Sequence, residues 1–381
     1  MENNYFEIGF IGGAINSAVG TVHKIASQMD GKFKLVAGCF SKDPSINKLT
    51  GEQWGIIPSR VYDTWEMLLK HEKNNLDAVV ILTPTPDHGY MIEKALNTGF
   101  AVISEKSLTK SVDEAINLKK IVNTNNLFLT ITYNYTGYPV VRELKHIIKN
   151  GELGKIHQIL VEMPQEGFIK VDSNNNPITP QSWRLRDYEI PTISLDLGIH
   201  VYNLINFIVD EDAVEVIATE NSFGFFKDIV DDIHAIARFS NDLICNIWYS
   251  KSAIGYRNGL RIRVFGSKGS AEWYQMNPEE LVLSYNNGDK KIITRGNNNA
   301  SIINQLQYNR FKAGHPSGFI EAFANLYNDI FEALSNYKFK TKTNFLTEYT
   351  FGIDDALKGL IFLDSMHKSF IEKKWIKINK I

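Results

Sequence analysis

Asp196 and His200 stand four residues apart in the stretch Asp196-Leu197-Gly198-Ile199-His200. On a helix that spacing sets a carboxylate and an imidazole on one face. The carboxylate then orients the ring and raises its proton affinity, tuning it as a general base or acid near neutral pH. A helix-capping aspartate beside a core histidine has the same spacing, so the pair alone leaves both readings open. Lys106 follows Glu105 just after the short apolar run Ala101–Ser104. In an open α/β sheet the carboxyl end of a strand faces the ligand crevice. An ammonium there would hydrogen-bond a reacting oxygen as charge develops on it. The plain alternative is a surface lysine paired with Glu105.

The apolar run Phe6–Ile11 leads into Gly12-Gly13-Ala14-Ile15-Asn16-Ser17-Ala18-Val19-Gly20 and then into a helical pattern. Glycines between a first strand and a helix let the backbone approach a pyrophosphate seated on the helix N-terminus. The spacing departs from G-x-G-x-x-G: Ala14 replaces the middle glycine and the turn is longer. Tight packing alone would also use glycines here. The next apolar run ends in Cys39-Phe40-Ser41-Lys42-Asp43, without the acidic strand end that reads the ribose 2′-hydroxyl of NAD. Ser41 and Lys42 suit a 2′-phosphate, hence NADP; equally, both face solvent while NAD is held through backbone contacts. The cofactor expected is NAD or NADP, with no choice between them.

These residues need a scaffold that sets them along one edge. Phe6–Ile11, Phe33–Cys39, Ala78–Leu82, Ala101–Ser104 and Phe128–Tyr133 are short, apolar without clean alternation, and rich in β-branched and aromatic residues. Those are the marks of strands covered on both faces. Helical patterns separate them, one opened by the capping box Ser111-Val112-Asp113-Glu114. Such alternation predicts βαβ units with right-handed crossovers, and so an α/β Rossmann domain, doubly wound and mostly parallel, over residues 1–135. A helix over Tyr138–Asn150 stops at Gly151, which suits a left-handed cap, and the texture then changes. Ile156–Glu162, Val214–Phe223, Asp231–Phe239, Leu243–Ser250 and Leu260–Gly266 read as strands, and Asn241-Asp242 and Asn287-Gly288 as hairpin turns. Residues 136–381 are therefore expected to form an α+β domain with a large, mostly antiparallel open sheet, serving substrate binding and oligomerisation. Gln165–Gln181 reads as an exposed loop, and two helices, Gly318–Tyr337 and Ile353–Lys373, close the chain, free to pack back on the first domain.

A chain of 381 residues has room for two such domains. With 44% hydrophobic and 22% charged residues it falls outside the disordered and fibrous classes. The balance of 41 basic against 43 acidic side chains leaves no basic footprint for nucleic acid, and the lysine clusters at 338–342 and 373–377 read as solvated surface. Cys39 and Cys245 lie in apolar runs outside any metal-ligand spacing, so buried reduced thiols and no metal are expected. No run reaches the roughly 18 apolar residues of a membrane span, and no leader pattern opens the chain. A cytoplasmic protein without a membrane partner is expected.

Thr83-Pro84-Thr85-Pro86-Asp87-His88 follows the Ala78–Leu82 run, Glu105-Lys106 follows the next, and the Asp196–His200 motif opens a later helix. With the glycine turn, Trp183-Arg184 and Gly314-His315-Pro316 in the same order, nearly the whole chain resembles the glucose–fructose oxidoreductase, inositol dehydrogenase and rhizopine-catabolism family (Gfo/Idh/MocA). The resemblance implies that Gly12, Gly13, Ala14, Ile15, Asn16, Ser41, Lys42, Thr83, Pro84, His88, Glu105 and Lys106 hold the dinucleotide. It implies Lys106, Asp196 and His200 as the catalytic set for hydride transfer between nicotinamide and a secondary hydroxyl or keto group of a sugar, sugar derivative or cyclitol. Tyr133, Tyr135, Trp183, Arg184 and His200 would form the substrate wall, aromatic faces lying against the C–H faces of a ring; His315 is a weaker candidate. Such relatives also include enzymes that oxidise transiently, with tightly bound NAD, to enable elimination or glycosidic cleavage, and non-catalytic dinucleotide-binding regulators. The family's Glu-Lys-Pro is Glu105-Lys106-Ser107 here, losing a proline that stiffens the backbone beside the lysine. The open face of the second sheet is an association surface, so a homodimer or homotetramer is expected.

Overall fold

Phe6–Gly12 (β1) is buried along almost its whole length and has a strand on each side. It pairs in parallel with Phe33–Cys39 (β2) and Ala78–Leu82 (β3). Ala101–Ser104 (β4) and Leu129–Ile131 (β5) extend the sheet in parallel, in the order β2-β1-β3-β4-β5. The last strand is shorter than its apolar run, yet the pairing continues at both ends: Val102 N–H donates to Phe128 O at 3.0 Å and Thr132 N–H to Ser104 O at 2.9 Å. This computed structural model describes residues 5–298 and 300–379.

The helices Gly20–Gln28 (α1), Pro44–Trp54 (α2), Trp65–Glu72 (α3), Thr85–Thr98 (α4) and Val112–Asn125 (α5) lie between these strands in sequence. Their ends follow local chemistry. Asp43 caps α2 by accepting from the N–H groups of Ser45 (2.8 Å) and Ile46 (3.2 Å), with Pro44 at the first position. Ser111 caps α5 by accepting from the Glu114 N–H at 3.3 Å. The reciprocal half of the capping box is replaced by an ion pair, Glu114 to Lys110 at 3.2 Å.

The chain divides into two units, Met1–Gly137 with Phe319–Leu357 and Tyr138–Gly318 with Lys358–Ile381. In the second, Pro139–Lys149 (α6) ends before Gly151, whose φ of +72° is the expected left-handed cap. Ile156–Pro164 (β6) and helix Ile199–Val209 (α7) precede Ala213–Asn221 (β7), Asp232–Phe239 (β8), Ile244–Ser250 (β9) and Arg261–Gly266 (β10). Gly269–Tyr274 (β11), Asn277–Tyr285 (β12) and Lys290–Ile293 (β13) follow. The apolar runs in these three strands are short, Leu281-Val282-Leu283 the longest, and Pro278-Glu279-Glu280 and Lys290-Lys291 sit beside them, so pairing with neighbours outweighs weak local propensity.

Phe319–Phe339 (α8) returns to the first unit, where Phe323, Leu326, Tyr327, Ile330 and Leu334 join Phe6, Ile8, Phe10, Val80 and Ile103 in one core. Their spacing is the apolar stripe of a helix, and each large side chain so buried contributes roughly 1.5–3 kcal/mol. Ile353–Glu372 (α9) follows, and Ile376–Lys377 (β14) completes a nine-stranded sheet in the order β13-β12-β11-β10-β6-β9-β8-β7-β14. Among the described residues β6 and β9 pair in parallel and the other neighbours antiparallel. Burial alternates along β8, so one face of this sheet is packed and the other open. Among the described residues no helix is long and apolar enough to cross a membrane.

Candidate active site

Gly12 ends β1 and Gly13 follows it, at φ +83° and +75°, where L side chains are strained. A Cβ on Gly13 would lie 2.5 Å from the Leu82 side chain, and one on Gly20 only 1.8 Å from the Gly13 carbonyl oxygen. Gly20 therefore does what the last glycine of the shorter motif does, letting the helix start lie against the strand end. Across the longer turn the Ser17 hydroxyl accepts from the N–H groups of Val19 and Gly20, each at 3.3 Å, and Ile15 N–H donates to the Thr50 hydroxyl at 3.3 Å. Ala14 is buried, Ile15 half-buried and Asn16 exposed. A backbone this bare at the N-terminus of α1 fits a pyrophosphate.

Because the first sheet is parallel, the carboxyl ends of its strands share one edge. That edge carries Gly12–Asn16, Ser41 and Lys42, Thr83 and Pro84, Glu105 and Lys106, and Tyr133 and Tyr135. The Ser41 hydroxyl accepts from the Asp43 N–H at 3.1 Å, and the exposed Lys42 pairs with Asp87 at 3.3 Å. Tyr133 and Tyr135 are buried, Tyr133 edge-on to Phe351 with ring centres 5.4 Å apart.

Both neighbours of Lys106 are anchored. On one side, His88 is fully buried with Nδ1 2.7 Å from the Ser107 carbonyl oxygen and Nε2 2.7 Å from that of Thr83. Burial pushes this imidazole toward its neutral form against the pull of the two carbonyls; a neutral ring donates to one of them, and it fills the space between the backbone after β3 and the backbone after β4. The Lys106–Ser107 peptide is cis. On the other side, Glu105 N–H donates to Ile81 O at 2.9 Å. Its carboxylate turns inward to accept from His23 Nε2 at 3.0 Å and from the Thr132 hydroxyl. Burial pushes the Glu105 carboxyl up, but these hydrogen bonds and the Lys106 charge outweigh it and hold the group at about 2. His23 Nδ1 in turn lies 2.8 Å from the Tyr327 hydroxyl.

In the second unit Asp196 sits in a π-helical turn, Ser194–Gly198, that runs directly into α7. Such turns are frequent at functional sites. Gly198 makes the placement possible: a Cβ there would lie 2.8 Å from the Tyr249 ring and 2.9 Å from Leu363. The Tyr249 hydroxyl, buried in β9, bonds Ser194 Oγ at 2.8 Å. The Asp196 carboxylate meets the Arg184 guanidinium and the Lys251 ammonium, the latter at 2.6 Å. Arg184 lies over the Trp183 ring at 4.3 Å, and Lys251 over Phe168 at 5.4 Å. His200, four residues after Asp196, is equally buried at 7% exposure. Trp183, Arg184 and Asp196 are thus brought together in this unit. His315 lies in the loop between β13 and α8, where its carbonyl accepts from Arg295.

Lys251, His23, Thr132 and Tyr327 are absent from the sequence reading. Lys251 merely follows an apolar strand; His23 on α1 and Thr132 just after β5 reach Glu105, and Tyr327 on α8 reaches His23, so no local spacing marks them.

Residues 6–133 match the model of an oxidoreductase family with an NAD-binding Rossmann fold, and residues 141–272 match a GFO/IDH/MocA C-terminal domain. An oxidoreductase of known crystal structure from Sinorhizobium meliloti is 31% identical, with a TM-score of 0.84 over 98% of this chain and 99% of that one. An inositol dehydrogenase homolog from Azotobacter vinelandii, solved with NADH and myo-inositol, is 26% identical, with a TM-score of 0.89 over 98% of each chain. The uncharacterized oxidoreductase YfiI of Bacillus subtilis (strain 168) is 28% identical over 326 residues, 83% of this chain and 82% of its own. The chain belongs to the Gfo/Idh/MocA family of oxidoreductases, and the parallel sheet of its first unit is that family's NAD-binding domain.

Proposed function

We propose that this protein transfers a hydride between the nicotinamide of NAD or NADP and a secondary hydroxyl or keto group of a sugar, sugar derivative or cyclitol. The observation that carries this reading is the anchoring of Lys106 on both sides, at the strand edge that also bears the bare glycine turn. A bound dinucleotide supplies the hydride acceptor or donor. Gly12, Gly13 and Gly20 keep the backbone open to its pyrophosphate, Ala14, Ile15, Asn16, Thr83, Pro84 and Glu105 line the same edge, and Ser41 and Lys42 meet the adenosine ribose. His88 contributes from inside, by packing between the Thr83 and Ser107 carbonyls and donating to one of them.

In this reading Lys106 hydrogen-bonds the substrate oxygen and stabilises the charge that develops there. His200 takes the hydroxyl proton on oxidation and returns it on reduction. Asp196, balanced by Arg184 and Lys251, sets the electrostatics of the helix start that carries His200. Tyr133, Tyr135, Trp183 and Arg184 form the substrate wall. The myo-inositol bound to the Azotobacter homolog supports a cyclitol or sugar ring as substrate.

Titration of folded, nucleotide-free protein with NADH and with NADPH, read by energy transfer from its tryptophans, tests the first half of the proposal. One cofactor is expected to bind clearly better; binding of neither overturns the reading. A screen of inositols, aldoses and sugar phosphates, read by nicotinamide absorbance, tests the second half. Substrate loss without net reduced cofactor would point instead to transient oxidation serving elimination or cleavage.

We also propose that the open face of the second sheet, with Leu160, Ile217, Ile236 and Trp248 on one surface, seats a second copy in a homodimer or homotetramer. A monomer by light scattering at micromolar concentration overturns this. Cys39 and Cys245 are buried free thiols, which supports a reducing, cytoplasmic setting.

A further inference from the structure

We propose that His23 and Tyr327 are positioning residues for Lys106: the Tyr327 hydroxyl holds the His23 ring at Nδ1 so that Nε2 donates to Glu105, and that donation pins the strand end bearing Lys106. The inference rests on the reading of Lys106 as the group that meets the substrate oxygen.

The chain of contacts runs through the first unit from α8 to α1 to the end of β4. Tyr327 and His23 are 304 residues apart in sequence, and His23 and Glu105 82 apart. All three are buried, at 1%, 0% and 6% exposure, so they must satisfy one another. The His23 ring is also held edge-on by Phe323, ring centres 4.8 Å apart. An ionised carboxylate only accepts, so the proton between His23 and Glu105 belongs to Nε2. The hydroxyl 2.8 Å from Nδ1 holds the other end of the ring. Without it that buried nitrogen loses its partner, and the ring that meets Glu105 is no longer held at both ends. Lys106 is the next residue along the backbone. A misplacement on the order of 1 Å at a reacting group costs about 100-fold in rate.

The experiment compares Tyr327→Phe, His23→Gln, the double variant and Lys106→Ala, using the best cofactor and substrate from the screens above. Tyr327→Phe is expected to lower kcat about 10- to 100-fold while the Kd for NADH and the substrate KM stay within about threefold. Glutamine keeps an N–H donor for Glu105 that does not depend on the Tyr327 hydroxyl, so His23→Gln should retain more activity than Tyr327→Phe. Adding Tyr327→Phe to His23→Gln should then cost nothing further. An unchanged kcat in Tyr327→Phe, or the same loss in the glutamine background, overturns the relay and leaves only a packing role. Full activity in Lys106→Ala overturns the underlying reading instead. Independently of any substrate, ¹⁵N-histidine NMR should show His23 protonated on Nε2, and its Nδ1 resonance should move in Tyr327→Phe. An Nδ1 resonance unmoved by Tyr327→Phe, or a wild-type His23 bare at Nε2, overturns the assignment.

Discussion

Each unit buries one carboxylate at its candidate site, and the two are held by opposite means. Glu105, in the cofactor half, accepts from an imidazole and a hydroxyl that reach it from other elements of the same core. Asp196, in the second unit, is met by two cations, Arg184 and Lys251. Hydrogen bonds from packed donors fix direction, because a short donor on a rigid element permits one geometry. Cations on flexible stems balance charge and tolerate more movement. The first arrangement holds an atom still, and the second keeps a charge balanced.

Lys106→Ala is the sharpest way to break this contrast. Loss of a positioned group at the reacting oxygen should lower kcat by about 10²–10⁴-fold. The Kd for NADH should move far less, since the glycine turn is untouched. Turnover near wild type would mean that the rigid half positions nothing. Lys251→Met comes next. It removes the Lys251 charge from Asp196 and from the face of Phe168, and breaking a buried pair costs about 3–5 kcal/mol. A drop of that size in urea unfolding is expected, with cofactor affinity unchanged; stability within about 0.5 kcal/mol of wild type would show Arg184 alone sufficing.

Gly20→Ala tests the cofactor half by itself. The added methyl would meet the Gly13 carbonyl oxygen at 1.8 Å. Forcing a methyl into such a gap costs roughly 1–3 kcal/mol. Taken from cofactor binding, that is about 10- to 100-fold in the Kd for NADH. Ala14, by contrast, already occupies the motif's middle glycine position, so the loop's extra length, not its glycine count, is what the turn accommodates.

What could be read in advance follows the same line between the halves. The parallel strands announce themselves, since strands buried on both faces must be apolar throughout, and Lys106 is legible because it closes one of them. Asp196 and His200 are legible as a helical spacing, although the turn that carries Asp196 is π-helical, a widening that no residue type signals. The residues that hold those groups are not legible. His23 looks like any polar residue early in a helix, and Tyr327 like part of an apolar stripe; only the packing of α8 against the first core brings them to Glu105. Lys251 becomes a partner of Asp196 through the fold of the second unit, and β11–β13 exist through pairing against a polar local sequence.

A second carboxylate–imidazole pair allows the smallest and most exacting test. Glu220 on β7 and His367 on α9 lie 3.0 Å apart in the second unit, with the His367 side chain 29% exposed. The Glu220 hydrogen bond pushes His367 up, and burial pushes Glu220 up as well. Both shifts favour a bound proton in the folded state. Stability from His367 is therefore complete below its unfolded value of about 6.5 and is lost as pH rises through its raised folded value. Glu105 has the opposite sign. Its carboxyl is held at about 2, so its contribution is present above the ordinary glutamate range and is lost as pH falls toward that value. Thermal unfolding across pH should thus show an acid-side loss that Glu105→Gln flattens and a smaller alkaline-side loss that His367→Gln flattens. For a partly exposed pair the latter is worth about 0.5 kcal/mol. If His367→Gln instead flattened the acid limb, the two pairs would be alike, and the contrast between a half built on direction and a half built on charge would not extend beyond Asp196.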